Sequence, residues 1–126
     1  MAAGNYNITI GADEGLDLTF TYKDANGNPV DLTNYHATLQ VRPGEGNNTL
    51  YLEFDDTGGG TAGCSIVLGG AAGTIQIIAD ITQMVSFLTF EKAKYTLLLH
   101  PPATVKRERL LQGDFIVDRG ITPYNA

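Results

Sequence analysis

The feature that most constrains this chain is a two-residue alternation of apolar and polar side chains. It is clearest in one segment, where Leu16, Leu18, Phe20 and Tyr22 alternate with polar residues up to Lys23. Successive side chains of a β-strand point to opposite faces of the sheet, so this rhythm predicts a strand with one dry face. A helix would instead need apolar residues spaced by three and four.

The same alternation recurs between clusters of Gly, Pro, Asn and Asp, which are turn-forming residues. It predicts further strands over 6–10, 35–41, 50–54, 64–68, 73–78, 95–99 and 105–117. Gly113 interrupts the last of these and indicates a bulge. Ile81, Met84, Val85 and Leu88 follow a helical spacing, which predicts one short helical segment near 80–89, capped by Asp80 or Thr82. Many short strands with little helix predict an all-β fold, a sandwich or barrel of about 7–9 antiparallel strands.

A length of 126 residues predicts a single domain over 1–126, with short terminal arms at 1–5 and 121–126. Cys64 is the only cysteine, so packing rather than an intrachain disulfide must stabilise the fold. The sequence shows no secretory leader and no apolar run of membrane-spanning length, and we expect a protein kept in a cytosol or assembled into a particle there.

The charge is unevenly distributed along the chain. The formal net charge of −6 argues against general affinity for nucleic acid. Residues 1–63 carry nine acidic and two basic side chains, whereas residues 64–126 carry five and six. This asymmetry fits copies that meet acidic half to basic half, and it also fits an ordinary solvated surface.

The sequence offers little catalytic chemistry. His36 and His100 stand in no catalytic motif, and with Cys64 they make too few ligands for zinc, so we predict no enzyme, no metal and no cofactor. The spacing of Asp24, Asn26 and Asn28 resembles the start of a calcium loop. It is also typical of a plain turn.

One basic cluster, Lys106, Arg107 and Arg109, lies in the last predicted strand pair. It would serve either to dock onto an acidic neighbour or to keep an edge strand from unwanted pairing. We predict a protein interface from this cluster together with the C-terminal arm. Its residues are Lys106, Arg107, Arg109, Ile121, Thr122, Pro123 and Tyr124.

The segment from Glu91 to Leu97 resembles the signature that opens the F strand of immunoglobulin-like domains. The resemblance implies an immunoglobulin-like β-sandwich, in which Tyr95 would form a tyrosine corner by bonding to backbone upstream. A plain inward-facing strand tyrosine is the alternative for Tyr95.

Several longer phrases resemble a group of small tailed-bacteriophage virion proteins. They are Gly11-Ala12-Asp13, Gly27-Asn28-Pro29-Val30-Asp31-Leu32-Thr33, Gln40-Val41-Arg42, Gly70-Ala71-Ala72-Gly73-Thr74-Ile75, and Tyr95-x-Leu97 with Arg109-Leu110-Leu111-Gln112-Gly113. The stretch around Pro29 to Thr33 is similar to the immunoglobulin-like N-terminal domain of phage upper baseplate proteins.

This resemblance implies a structural or adaptor subunit of the virion, in the tail, neck or fibre-attachment region. Such a subunit would be present in several symmetric copies and would contact other virion proteins, with neither nucleic acid nor membrane as partner. The alternative is a carbohydrate-binding module on the same scaffold. That function needs exposed aromatic rings, for which Tyr51 and Tyr124 are the best candidates.

Overall fold

The chain forms strands where the alternation predicts them. The computed structural model describes residues 4–11, 14–44, 49–84, 90–102 and 107–118. The strands are β1 (Gly4–Asn5), β2 (Ile8–Gly11), β3 (Leu16–Thr21), β4 (His36–Arg42), β5 (Leu52–Asp55), β6 (Cys64–Leu68), β7 (Thr74–Ala79), β8 (Lys92–His100) and β9 (Glu108–Asp118). The predicted all-β class is confirmed.

Helical structure in the described ranges is limited to α1 (Ile81–Met84) and a 3₁₀ turn at Gly70–Ala72. The carboxylate of Asp80 accepts a hydrogen bond from the Thr82 amide at 3.0 Å, so Asp80 is the cap at the start of α1. Residues 85–89 of the predicted helical segment lie outside the described residues. None of the described helices is long and apolar enough to cross a membrane.

The strands form one mixed sheet in the order β1-β9-β8-β4-β5-β6-β7-β3, and β2 also pairs with β9. The prediction that all strands are antiparallel is wrong, because β1 and β2 run parallel to β9, and β5 runs parallel to β6. β1 and β2 lie at the opposite end of the chain from β9, so no hairpin forces them to be antiparallel to it. β5 and β6 are consecutive in sequence, and their parallel pairing is a single bridge between Asp55 and Ser65. Gly4 and Asn5, predicted as part of a terminal arm, are paired with Leu111 and Gln112.

The sheet curls around one hydrophobic core. β5 and β9 are separated by two strands, which would hold them about 14 Å apart in a flat sheet. The rings of Phe54 on β5 and Phe115 on β9 nevertheless have centroids 6.3 Å apart. At the two ends of the strand order, the Tyr6 ring meets the Phe20 ring edge-on at 5.2 Å. The buried side chains of the described residues form a single cluster.

Three local predictions are wrong. Tyr6 and Leu50, expected on dry faces, are each 43% exposed, because Tyr6 lies in the break between β1 and β2 and Leu50 precedes β5. Gly113 stays in register with Tyr95 and forms no bulge. The irregularity lies further along, where Leu97 pairs with Leu111 but Leu98 pairs with Arg109. An extra residue on β9 therefore kinks the β8–β9 ladder at Leu110.

Candidate functional site

The solvent-facing side of β4, β8 and β9 gathers most of the basic side chains. Along β4 and β8 buried residues alternate with exposed or half-buried ones, so the polar phase of each strand faces solvent on the same side. Six Lys and Arg residues lie in the described ranges, and five are on this side: Arg42, Lys92, Lys94, Arg107 and Arg109. We call this surface, together with the outward side chains of β5, the basic face.

Strand register brings together basic residues that are far apart in sequence. Arg42 on β4 pairs with Lys94 on β8, and Lys94 pairs with Asp114 on β9. Paired residues on one face of an antiparallel ladder have Cβ atoms about 5 Å apart. Arg42 and Lys94, two like charges, are therefore direct neighbours. Such a pair is unfavourable unless carboxylates or polar groups compensate it.

Asp114 provides that compensation for the lysines. Its carboxylate contacts the Lys94 ammonium at 2.5 Å and the Lys92 ammonium at 3.5 Å. The hydrogen bond from Lys94, with the nearby Lys92 charge, holds the pKa of Asp114 below its usual value. Because Asp114 lies at the surface, these contacts contribute modestly to stability and mainly fix where the two ammonium groups lie.

Two of the three arginines of the basic face, Arg42 and Arg109, donate to neutral amides. Arg42 donates to the Gln40 carbonyl oxygen at 3.0 Å, and Arg109 donates to the Gln112 carbonyl oxygen at 3.3 Å. Gln40 in turn donates to Glu53 on β5 at 2.8 Å. The amides thereby help to orient both guanidinium groups.

These side chains surround an open, shallow depression of about 550 Å³. Three of the residues that line it are cationic, namely Arg42, Lys94 and Arg109. The rest of its described lining is neutral, with no carboxylate among it. Such a surface favours a carboxylate-bearing partner, since a charge-assisted hydrogen bond to Arg is stronger than one to a neutral group.

Gly113, which lines this depression, lies opposite the break between β1 and β2. The Tyr6 amide donates to the Gln112 carbonyl at 2.9 Å, as a parallel ladder requires. The Asp114 amide then bonds to the Asn7 side chain at 3.0 Å, while the Tyr6 carbonyl accepts from the Tyr95 hydroxyl at 2.5 Å. A Cβ at Gly113 would overlap the Tyr6 carbonyl oxygen, so only glycine fits here.

The Tyr95 side chain is buried and also forms a long-range hydrogen bond. It is 2% exposed, and its hydroxyl does bond to backbone, as in a tyrosine corner. The partner, however, is Tyr6, 89 residues earlier, whereas a tyrosine corner bonds a few residues upstream. The expected local corner is replaced by a tie between β8 and the N-terminal edge of the sheet.

A second, smaller depression of about 140 Å³ lies at the other end of the basic face. His36 and His100 both line it and lie directly opposite each other in the β4–β8 ladder. Arg107 lines the same depression. Nδ1 of His36 lies 3.0 Å from Asp56, whose carboxylate also accepts the Ala37 amide at 3.1 Å. The two histidines are 64 positions apart in the sequence, and only the strand register shows that they are neighbours.

The predicted interface residues are thus partly placed. Arg107 and Arg109 both lie on the basic face, each beside a different depression. Lys106 and the C-terminal residues lie outside the described residues, as do the rest of the predicted arms. The sequence analysis missed Arg42 and Lys94. In the sequence, both residues stand at polar positions of the alternating pattern that predicts β4 and β8, and this pattern could have identified them.

The structure also bears on the two small-ligand alternatives, a calcium loop at Asp24 and sugar stacking on Tyr51. Asp24 accepts hydrogen bonds from the amides of Asn26 and Asn28 at 2.9 and 3.0 Å, which is the turn alternative for that segment. Tyr51, named for sugar stacking, has its ring stacked on Phe90 with centroids 4.4 Å apart, so one ring face is occupied. Within the described ranges, no three His, Cys, Asp or Glu side chains group closely enough to hold a metal ion.

Comparison with known proteins finds no protein-family model that matches the chain and no curated protein that matches it. The fold and surface define an all-β domain with a basic sheet face.

Proposed function

We propose that this chain is a structural or adaptor subunit of a bacteriophage virion, in the tail, neck or fibre-attachment region. It works by docking onto other proteins, in several symmetric copies, in particles assembled in the host cytoplasm. The observation that carries the proposal is that the sequence phrases which resemble virion proteins, apart from Gly11-Ala12-Asp13, come together in space in two groups.

The first group joins the phrase from Gly27 to Thr33 with the phrase from Gly70 to Ile75. The Leu32 amide donates to the Gly70 carbonyl at 2.9 Å. A Cβ at Gly73 would lie 2.9 Å from the Val30 carbonyl oxygen, so the two phrases are in direct backbone contact. A resemblance that covers both partners of one contact is more specific than two unrelated turn motifs.

The second group forms the centre of the basic face. Val41 of one phrase pairs with Tyr95 of another, and Tyr95 pairs with Gly113 of a third. The arginines Arg42 and Arg109 belong to these same phrases. The resemblance to virion proteins therefore includes a surface as well as turns, which favours a shared docking role.

The strand order supports an immunoglobulin-like sandwich as the scaffold. One group of strands runs β9-β8-β4-β5 and the other runs β6-β7-β3, and among the described residues the strand pair Asp55–Ser65 joins them. If β3, β4, β6, β7, β8 and β9 are strands B, C, D, E, F and G, these groups match the two sheets of such a domain. Tyr95 on β8 then lies on strand F, as its sequence signature predicts.

Quantitative mass spectrometry of purified phage particles tests the proposal. Particles from a culture that encodes this chain are separated from soluble lysate by density gradient, and both fractions are quantified against the major capsid protein. We expect the chain in the particle fraction at a fixed ratio, in several copies per particle. Its presence in the lysate but not in particles would overturn the proposal.

A further inference from the structure

Strand β3 forms an edge of the sheet. It stands last in the strand order, and its ladder partner is β7. Its apolar side chains are half-buried, whereas the apolar side chains of inner strands such as β4 and β7 are buried. The half-buried row consists of Leu16, Leu18, Phe20 and, just beyond the strand, Tyr22. The fold therefore leaves one apolar row incompletely covered along this edge.

The backbone groups on the outer side of β3 are unpaired. The Tyr22 amide donates at 2.8 Å to the carbonyl of Gly73, the residue directly before β7. Successive residues of an antiparallel strand turn their backbone groups alternately towards and away from the partner strand. The residues that turn them away from β7, which we call the outward residues, are Asp17, Thr19, Thr21 and Lys23. Among the described residues, none of their amide and carbonyl groups forms a hydrogen bond.

This edge lacks the usual forms of protection. Proteins commonly block an exposed edge with a proline, a bulge or a covering loop, and the described residues place none of these on β3. β3 pairs with β7 in unbroken register along its whole length, and its one charged residue is Asp17. On the outer side, the Gly15 amide donates to the Gly11 carbonyl at 2.8 Å, just before β3 begins. The rest of the edge is therefore open to one more strand.

We propose that β3 of one copy pairs antiparallel with β3 of a second copy, so that the two sheets join across a two-fold axis. Phe20 lies opposite Phe20 of the second copy, at the axis. Asp17 then lies opposite Lys23, and Thr19 opposite Thr21, on both sides of the axis. The contact deepens the proposed function, on which it rests for the presence of several copies, by naming the surface through which two copies meet.

The backbone and the charges of β3 select the same register. Asp17 and Lys23 are both outward residues, so when they lie opposite each other each can exchange its amide and carbonyl bonds with the other. Thr19 and Thr21 can do the same. The register also sets the carboxylate of one copy against the ammonium group of the other, and a cross-strand pair of unlike charges is stabilising. Any other register separates Asp17 from Lys23.

This pattern favours a second copy as the occupant of the edge. Asp17 precedes Phe20 by as many residues as Lys23 follows it, so the strand complements itself under two-fold symmetry. In the part of the chain that the structure describes, neither Asp17 nor Lys23 forms an ion pair. The Gln76 amide holds the Asp17 carboxylate at 2.9 Å and leaves its charge in place. The Tyr6 ring, 43% exposed beside Phe20, adds apolar surface next to the contact.

Sedimentation equilibrium of the purified full chain, over a range of concentrations, tests the contact. We expect a monomer–dimer equilibrium for the wild type. Thr19→Pro removes an outward amide and should abolish the dimer, while the monomer stays folded because proline is tolerated on a free strand edge. Thr19→Val is the matched control, since it keeps the amide and the β-branched shape, and it should dimerise as the wild type does.

Charge reversal tests the register without the proline variant. Asp17→Lys and Lys23→Asp should each weaken the dimer at least about tenfold, because each sets like charges opposite each other on both sides of the axis. A mixture of the two variants should form heterodimers, since every opposed pair then joins unlike charges. Both changes in one chain should restore the homodimer for the same reason. Circular dichroism of each variant shows that it is folded.

Amide hydrogen exchange identifies the edge directly. In the wild-type dimer the amides of Asp17, Thr21 and Lys23 should exchange more slowly than in the Thr19→Pro monomer, because pairing protects them.

Three results would overturn the inference. They are a wild-type chain that stays monomeric, a folded Thr19→Pro variant that still dimerises, and a charge-reversed mixture that shows no preference for heterodimers. A monomeric chain whose outward amides become protected by an unrelated strand-forming peptide would assign the edge to a foreign strand instead. The particle measurement is separate. A monomeric chain found in virions would overturn the self-pairing alone, and a dimer that is absent from particles would overturn the virion role alone.

Discussion

At the scale of single residues, the break opposite Gly113 shows how a side chain can replace part of a β-ladder. Asn7 supplies the oxygen that the Asp114 amide needs, and this frees the Tyr6 carbonyl to accept from Tyr95. A buried phenol without a partner would cost about 1–3 kcal/mol. The N-terminal edge strand is therefore fastened to the core by a hydroxyl on β8 as well as by its own ladder.

Tyr95→Phe tests this tie. The substitution keeps the ring in the core but removes the donor to the Tyr6 carbonyl, and we expect a loss of about 1–2 kcal/mol in the free energy of unfolding. Tyr22→Phe is the matched control, because the Tyr22 hydroxyl bonds to Glu108 at 3.2 Å in an exposed position. Its cost should stay within about 0.5 kcal/mol. Equal losses for both variants in urea titrations would contradict the role given to Tyr95.

At the scale of elements, the glycine run after β5 protects the outer edge of that strand. The chain turns back so that the Thr61 amide donates to the Glu53 carbonyl at 2.8 Å, and the Thr61 hydroxyl accepts from the Glu53 amide at 2.9 Å. Unpaired edges invite pairing with other chains, so this return loop is a cover. It fits only because Gly60 has no Cβ to overlap the Glu53 carbonyl.

Gly60→Ala should displace the return loop and expose the edge of β5. We expect the variant to lose about 2–4 kcal/mol of stability, because the added methyl group meets backbone that cannot move aside. It should also gain thioflavin-binding aggregates on prolonged incubation. Gly59→Ala is the matched control, since a Cβ there meets only side-chain atoms at 3.5 Å or more. Aggregation of the control at the same rate would show that the loop is no cover.

The elements themselves were largely predictable, and their pairing was not. The alternation of Leu16 to Tyr22 and of Tyr35 to Val41 is a local signal, so β3 and β4 fall where it predicts. Parallel pairing of β2 with β9 depends on contacts between residues more than 100 positions apart, and no local pattern encodes it. The same limit applies to the basic face, where register alone makes Arg42 and Lys94 neighbours.

At the scale of the whole molecule, the two halves of the sequence do not correspond to two charge surfaces. Arg42 comes from the acidic first half but lies among the cations of the second half. The charge asymmetry between the two halves of the sequence therefore does not describe how charge is distributed over the folded surface. Each strand turns alternate side chains to opposite faces of the sheet. Charged residues from both halves of the sequence can therefore lie on the same face.

The core carries two weak acids that are neutral at ordinary pH. Cys64 is 4% exposed and packs at the start of β6, and burial raises the pKa of its thiol to about 12. Burial, together with the nearby Tyr6, also raises the pKa of Tyr95 to about 12. In the unfolded chain these groups ionise near 9.0 and 10.0, so the unfolded state gives up their protons first as pH rises.

This difference predicts how the protein unfolds in alkali. A group whose pKa is raised by folding contributes its full stabilisation below the unfolded pKa, and that contribution is lost as pH rises towards the folded pKa. We therefore expect the free energy of unfolding to fall between pH 9 and about 12, with a slope of up to about 1.4 kcal/mol per pH unit for each group. Cys64→Ala should flatten the curve from pH 9 upward, and Tyr95→Phe should flatten it only above pH 10. Urea titrations at each pH, under reducing conditions, measure the slopes, which should coincide for all three proteins near neutral pH. Identical slopes up to pH 12 would mean that neither group is protected by the core.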